Sequence, residues 1–332
     1  MQKPTVADLG ERVLVERIRA RLAMPSWVVV GPGDDAAVVE PARGMLDVFT
    51  TDAVVEGIHF DRRFVPGDAI GYRALAVNLS DLAAMGAEPR AALLSLVLPA
   101  GFAVDELDAL LDGLLGLAAT HRIALVGGNI TRSPGPLIVD VTAIGAVHRR
   151  RVLTRAGARP GDGVYVTGWL GEGAIGLRRL QDAGSTAQVG TSEEHYLRPP
   201  PRVRAGVLLG RNRVASSCMD LSDGLADGVR QIANASGVGM VLDSSSLPIG
   251  ADVMSWHEQH GGNAVDTALR GGDDYELLFT VRPAHLGRLR GVRQHVGDLP
   301  ITRIGVVTRE TRLLVTAQGG TQVLPDGFEH FR

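Results

Sequence analysis

Asn78-Leu79-Ser80-Asp81-Leu82-Ala83-Ala84-Met85 closes an apolar run that begins at Asp68, and it carries a carboxylate inside a stretch that otherwise reads as core. The spacing over Asp68–Met85 predicts a helix, with Asp68 as its N-cap. A few residues further on, Ala92–Leu98 has the pattern of a buried strand. Upstream, Val48–Thr51 predicts a short strand running into Asp52, and Val6–Ala23 an amphipathic helix. Downstream, Asp105–Thr120 predicts a helix and Leu137–Val147 a long strand. The basic stretch His148–Arg155 ends this first set, and a second set begins. It holds a strand at Val164–Thr167, a helix from about Glu172, helices at Arg202–Leu209 and Leu225–Ala235, and strands at Met240–Leu242, Glu276–Val281 and Thr302–Val307. Between them Ala183–Pro201, rich in Ser, Thr and Pro, reads as a loop. Helices and strands mixed in both halves predict an α/β fold with α+β-type mixed sheets in two domains, residues 1–148 and 149–332.

Composition excludes several function classes. The chain has 332 residues, a formal charge of −3 and one cysteine, Cys218. The charge argues against nucleic-acid binding, which wants a basic face. One cysteine allows no internal disulfide and no multi-cysteine metal site, which fits a cytoplasmic location. The first residues lack an apolar signal core, and the longest apolar stretch, near Ala91–Val104, is too broken to span a bilayer. Lys3 is the only lysine. A P-loop and a protein-kinase fold each need a lysine against the phosphates, so neither architecture is expected.

Carboxylates recur beside small residues or at strand ends: Gly33-Asp34-Asp35, Thr50-Thr51-Asp52, Ser80-Asp81, Met219-Asp220, Ser222-Asp223 and Gly272-Asp273-Asp274. Any one pair has an ordinary reading as a turn or a helix cap. Together, and partly in apolar surroundings, they suit a hard cation with phosphate, because a buried carboxylate must be paired or on a metal. Gly127-Gly128-Asn129, after the apolar run Ile123–Val126, predicts a turn at a strand end, where backbone N–H groups can approach phosphate. Gly171-Glu172-Gly173-Ala174-Ile175-Gly176 formally matches the dinucleotide fingerprint. Its acidic partner would be Glu193 or Glu194, which fall in the expected loop, so a tight turn into a helix is the better reading. His59 is a lone histidine, and His257 and His260, spaced like ligands, lack a third partner and read as surface.

The segments Gly31–Ala37, Thr51–Phe60, Asn78–Gly86, Arg155–Asp162, Met219–Leu225, Gly271–Phe279 and Gly327–Phe331 together resemble the thiamine-monophosphate kinases of the aminoimidazole ribonucleotide synthetase superfamily. The resemblance implies two α/β domains, the N-terminal ones pairing into a homodimer, with ATP and several Mg²⁺ in a cleft that the C-terminal domain closes. It implies transfer of a phosphoryl group from ATP to thiamine monophosphate. Carried over by position, Asp34, Thr50, Thr51, Asp52, Asp81, Asn129, Asp220 and Asp223 are metal ligands, with the aspartates among them catalytic through bound Mg²⁺. Gly128, Asn129, Arg155 and Ser222 face ATP, and His59, Asp273 and Phe328 face thiamine monophosphate. Two positions depart from the family pattern: Asn129 where Asp is usual, and Asp273 where Glu is usual. The alternatives are an aminoimidazole ribonucleotide synthetase-type ligase or cyclase and a silent Mg–nucleotide-binding regulator.

Overall fold

A computed structural model of the chain describes residues 3–184, 189–317 and 320–327. Compactness divides it between His148 and Arg149 into two units, with the turn Ala83–Ala87 grouping with the second.

The first unit opens with two helices, α1 (Val6–Leu9) and α2 (Glu11–Arg19), where periodicity predicts one. Gly10 breaks the run by taking a left-handed φ of 74°. Short strands β1 (Val28–Val30) and β2 (Val38–Val39) pair with each other. Then come β3 (Leu46–Val55), α3 (Gly67–Ala84), β4 (Glu88–Pro99), α4 (Val104–His121), β5 (Ala124–Ser133) and β6 (Ile138–Val147). The last four strands form one sheet in the order β3-β6-β4-β5, antiparallel except for the parallel pair β4–β5. Period-2 alternation sorts its faces. Val139, Val141 and Ala143 of β6 are buried, whereas Asp140, Thr142 and Ile144 between them are half-exposed. Leucines 75, 79 and 82 of α3 and 107, 110, 111 and 114 of α4 are all buried. At about 0.8 kcal/mol per buried methylene they dominate the packing of this unit. α3 and α4 cross with backbones touching at Gly71 and Gly113, where an added methyl would strike a carbonyl oxygen of the other helix. Asp68 lies inside the first turn of α3 and not at its cap. Its charge still suits the positive end of the helix.

The second unit is built on a larger mixed sheet. Its elements are β7 (Gly163–Thr167), α5 (Glu172–Ala183), α6 (Thr191–Leu197), α7 (Val203–Arg211), β8 (Ala215–Asp220), α8 (Leu225–Ser236), β9 (Gly239–Asp243), α9 (Ala251–His260), α10 (Ala264–Arg270), β10 (Leu277–Val281), α11 (Leu286–His295), β11 (Ile301–Thr308), β12 (Leu313–Ala317) and β13 (Gly320–Val323). The strand order is β13-β12-β9-β11-β7-β10-β8, and only β12–β9 is parallel. α8 buries Leu225, Ala226, Val229, Ile232 and Ala233, one helical stripe, in a cluster with Val164 and Val166 of β7, Met219 of β8 and Leu278 of β10. α6 occupies Thr191–Leu197 within the stretch Ala183–Pro201, whose composition predicts a loop. Its Ser192, Glu193, Tyr196 and Leu197 are buried, so tertiary packing overrides a polar composition.

Candidate active site

In the first unit β3 places its two threonines on opposite faces. Thr50 Oγ1 donates to the Asp81 carboxylate of α3. Thr51 faces the other way, where its hydroxyl reaches Asp140 Oδ1 at 3.2 Å and Thr142 Oγ1 at 3.1 Å on β6. Asp52, the next residue, returns by alternation to the Thr50 side. The proposed ligands of β3 therefore split into two sets and do not converge on one point.

On the Thr51 side the half-exposed sheet face lines a cavity of about 880 Å³ together with α2 and the loop 31–37. Asp34, Asp35, Gly128, Asn129, Asp140 and Thr142 all border it. Gly33 takes a φ of 125°, and an added methyl there would meet the Arg19 guanidinium, so the chain turns sharply just before Asp34. Asp34 accepts the Asp35 amide at 2.9 Å. Gly127-Gly128-Asn129 is not the expected turn. It lies within β5, in register with Leu93, Leu94 and Ser95 of β4. Gly128 packs so tightly on the Leu94 backbone that no side chain fits. Asn129 is thus presented by a strand, with Ser95 and Asp140 beside it across the sheet.

At the end of β3 His59 folds back on its own backbone. Its ring Nδ1 accepts the Val55 N–H at 3.1 Å, and the His59 backbone N–H donates to the Val55 carbonyl at 2.9 Å. A neutral ring so bonded carries its proton on Nε2.

In the second unit β8 ends at Asp220, buried and opposite Leu277 of β10. Ser222 Oγ donates to Asp223 at 2.9 Å just before α8. Arg155 reaches Gln231 of α8 at 2.5 Å, and Gln231 in turn donates to Asp227 at 2.5 Å. The loop before β10 runs backbone to backbone along this turn: the Asp273 N–H donates to Ser222 O at 2.8 Å and the Tyr275 N–H to Leu221 O at 2.9 Å. Phe328 lies outside the described residues.

The amides of the dinucleotide fingerprint find their acceptor inside the protein. Asp274, fully buried, accepts the Gly171 N–H at 2.8 Å and the Gly173 N–H at 3.1 Å. Both sheet neighbours of β7 are antiparallel, so no parallel nucleotide-binding βαβ unit exists there. Next to it Glu276, also buried, takes two hydrogen bonds from Arg202 and one from Thr167. Glu172 accepts from Ser192, while burial pushes its carboxyl above the usual range. His257 is held by Thr267 at 2.8 Å and the Gly261 carbonyl at 3.0 Å, and His260 stacks on Trp256, so neither is a ligand pair in waiting.

Sequence reasoning missed Asp140 and Thr142, although a signal existed: their polar side chains alternate with buried Val and Ala along β6. It also grouped Asp274 with the cation-binding carboxylates, whereas its partners are backbone amides. The donors that remain fit a hard cation in kind, since all are carboxylate, hydroxyl or amide oxygens. Among the described residues no three His, Cys, Asp or Glu come together as a metal cage. None of the described helices is long and apolar enough to cross a membrane.

Residues 33–147 match the family described as AIR synthase related protein, N-terminal domain, and residues 159–318 its C-terminal domain. The thiamine-monophosphate kinase of Escherichia coli (strain K12) is 40% identical over 330 residues, 97% of this chain and 98% of the relative. Among solved structures, thiamine-monophosphate kinase from Stenotrophomonas maltophilia K279a superposes with a TM-score of 0.82 at 39% identity, covering 91% of this chain and 95% of that one. A structure described as AaThiL complexed with AMPPCP and TMP superposes with a TM-score of 0.76 at 30% identity over the whole of both chains. Matching both domain families and aligning with these enzymes nearly end to end, the chain belongs to the thiamine-monophosphate kinases of the AIR synthase related family.

Proposed function

We propose that this chain transfers the terminal phosphoryl group of ATP to thiamine monophosphate, giving thiamine diphosphate and ADP. The observation that carries the reading is the end-to-end likeness to a relative complexed with an ATP analogue and TMP. Mg²⁺, held through Asp34, Thr50, Thr51, Asp52, Asp81, Asn129, Asp220 and Asp223, supplies charge neutralisation for two anionic substrates on a chain that is itself acidic. The pairs seen here, such as Thr50 with Asp81, offer one or two oxygens each, in keeping with a Mg²⁺ that takes its remaining ligands from water and phosphate. Gly128, Asn129, Arg155 and Ser222 hold the nucleotide. His59, Asp273 and Phe328 hold the acceptor, His59 with its Nε2–H as a donor. No side chain acts as general base. The acceptor's own phosphate, with a second pKa of about 6, is already mostly dianionic at neutral pH.

Residues 1–148 serve as the metal- and ATP-binding and dimerisation domain, and residues 149–332 as a second α/β domain that supplies Asp220, Asp223 and Asp273. A single, buried cysteine supports a cytoplasmic location. The test is turnover by the purified chain with ATP and Mg²⁺. Thiamine monophosphate should be converted and free thiamine should be a poor acceptor. Turnover with formylglycinamidine ribonucleotide alone would assign the synthetase chemistry instead.

A further inference from the structure

We propose that Asp274 is a positioning residue: its buried carboxylate locks the turn Gly272–Tyr275 onto the start of α5 and so fixes where Asp273 presents its side chain to the acceptor. The proposal rests on the reading that Asp273 faces thiamine monophosphate. Asp273 and Tyr275 both adopt left-handed backbone conformations, with φ of 67° and 50°. Such angles are uncommon for residues with a side chain and persist only where the surroundings compel them.

The surroundings here are specific. Asp274 sits between the two left-handed residues and takes one amide on each oxygen, from Gly171 just before α5 and Gly173 in its first turn. Its carbonyl is held by His195 Nε2 at 2.9 Å. A methyl on Gly173 would run into the Asp273 backbone, so the turn rests directly on the first turn of α5. On its other side the same turn donates from Asp273 to Ser222 and from Tyr275 to Leu221. Tyr275 then returns its hydroxyl to Asp273 Oδ1 at 3.3 Å.

A carboxylate is required because both oxygens must accept. An amide in its place would aim an N–H₂ at one of the two N–H donors. Asp220, by contrast, lies within the paired part of β8, opposite Leu277 of β10. Ser222 meets the turn through its backbone carbonyl, whereas Asp273 belongs to the turn itself, so loosening the strut should disturb acceptor binding more than nucleotide binding.

The experiment is steady-state kinetics on Asp274→Asn, His195→Asn and Asp273→Ala, with hydrogen exchange at the Asp273 and Tyr275 amides. Asp274→Asn should raise KM for thiamine monophosphate about tenfold or more, raise KM for ATP severalfold less than that, and speed exchange at both amides. His195→Asn, which touches the turn through the Asp274 carbonyl, should raise the same KM about threefold. A purely structural residue would lower the folded fraction and the apparent kcat but leave KM alone. A folded Asp274→Asn with parental KM for the acceptor overturns the proposal. If that variant does not fold, a parental KM in His195→Asn does so. A raised KM in Asp273→Ala with no change in the other two sinks the strut but keeps Asp273 as an acceptor contact. An unchanged KM in Asp273→Ala removes that contact, and the proposal with it.

Discussion

Gly33-Asp34-Asp35 and Gly272-Asp273-Asp274 spell the same three residues in two different units of the molecule. In the first, the glycine takes the left-handed φ, and both aspartates are exposed at the rim of the cavity under α2. In the second, the glycine is ordinary, the first aspartate takes the left-handed φ, and the second aspartate is fully buried. Asp34 accepts only the adjoining Asp35 amide among the hydrogen bonds described for it, so most of its lone pairs are left open. Asp274 has both oxygens occupied by amides at the entry to α5. What separates an open carboxylate from an occupied one is thus how many N–H donors the fold has already aimed at it.

The sharpest way to break that contrast is to delete each carboxylate. Asp34→Ala, and likewise Asp52→Ala or Asp81→Ala, should lower kcat by about 10²–10³ at saturating Mg²⁺. For Asp34 and Asp52 the urea midpoint should stay near that of the parent, because an exposed carboxylate supports little structure, while half-buried Asp81, which holds the Thr50 hydroxyl, should cost somewhat more. Near-normal kcat in these variants would remove them from the site. Asp274→Ala should show the reverse emphasis. Two buried amides lose their acceptors at about 1–3 kcal/mol each, offset in part by relief of burying a charge. A net loss of about 2–4 kcal/mol by urea denaturation is expected. Parental stability would mean that the two copies of the tripeptide are not different in kind.

A third measurement tests the burial itself. Desolvation pushes the Asp274 carboxyl well above the usual range, helped by nearby Glu276 and Glu172 and opposed by the two amides. A raised folded value means that the native state holds the proton more tightly than the unfolded chain. The stability this group contributes is therefore whole below about pH 4 and is lost as pH rises through its folded value, at up to about 1.4 kcal/mol per pH unit. Asp274→Asn cannot titrate, so the gap between parent and variant should change with pH in that sense. Parallel pH profiles would count against it.

Smaller effects refine the cavity side. His59→Asn should raise KM for the acceptor severalfold with kcat changed less, whereas a loss of about 10³ in kcat at constant KM would mark an acid–base role. Asn129 should give the smallest response. Asn129→Asp adds a charged oxygen on the same strand position and should lower the Mg²⁺ needed for half-maximal rate. Asn129→Ala should raise it. If neither substitution moves the Mg²⁺ dependence, Asn129 lines the cavity without touching metal.

The long elements were legible because hydrophobic periodicity is local. The stripe of α8, the apolar body of α3 and the alternation along β6 are all visible in short windows. The misreadings share a cause. α6 looked like a loop because its polar residues are buried against neighbouring helices, and Gly127-Gly128 looked like a turn because the partner strand that keeps it extended is far away in sequence.

By itself, then, the sequence determined the class of fold, the oxygen-rich character of the candidate ligands and, through the lone Lys3, the exclusion of lysine-based phosphate sites. Composition and local spacing carry such information without any long-range contact. Only the tertiary structure decided that Thr50 and Thr51 serve opposite faces, that Asp140 stands beside Thr51, and that Asp274 spends its charge on the start of α5. Those facts depend on strand register and on donors that meet an acceptor 103 residues along the chain, and nothing in a local window encodes which amide will arrive there.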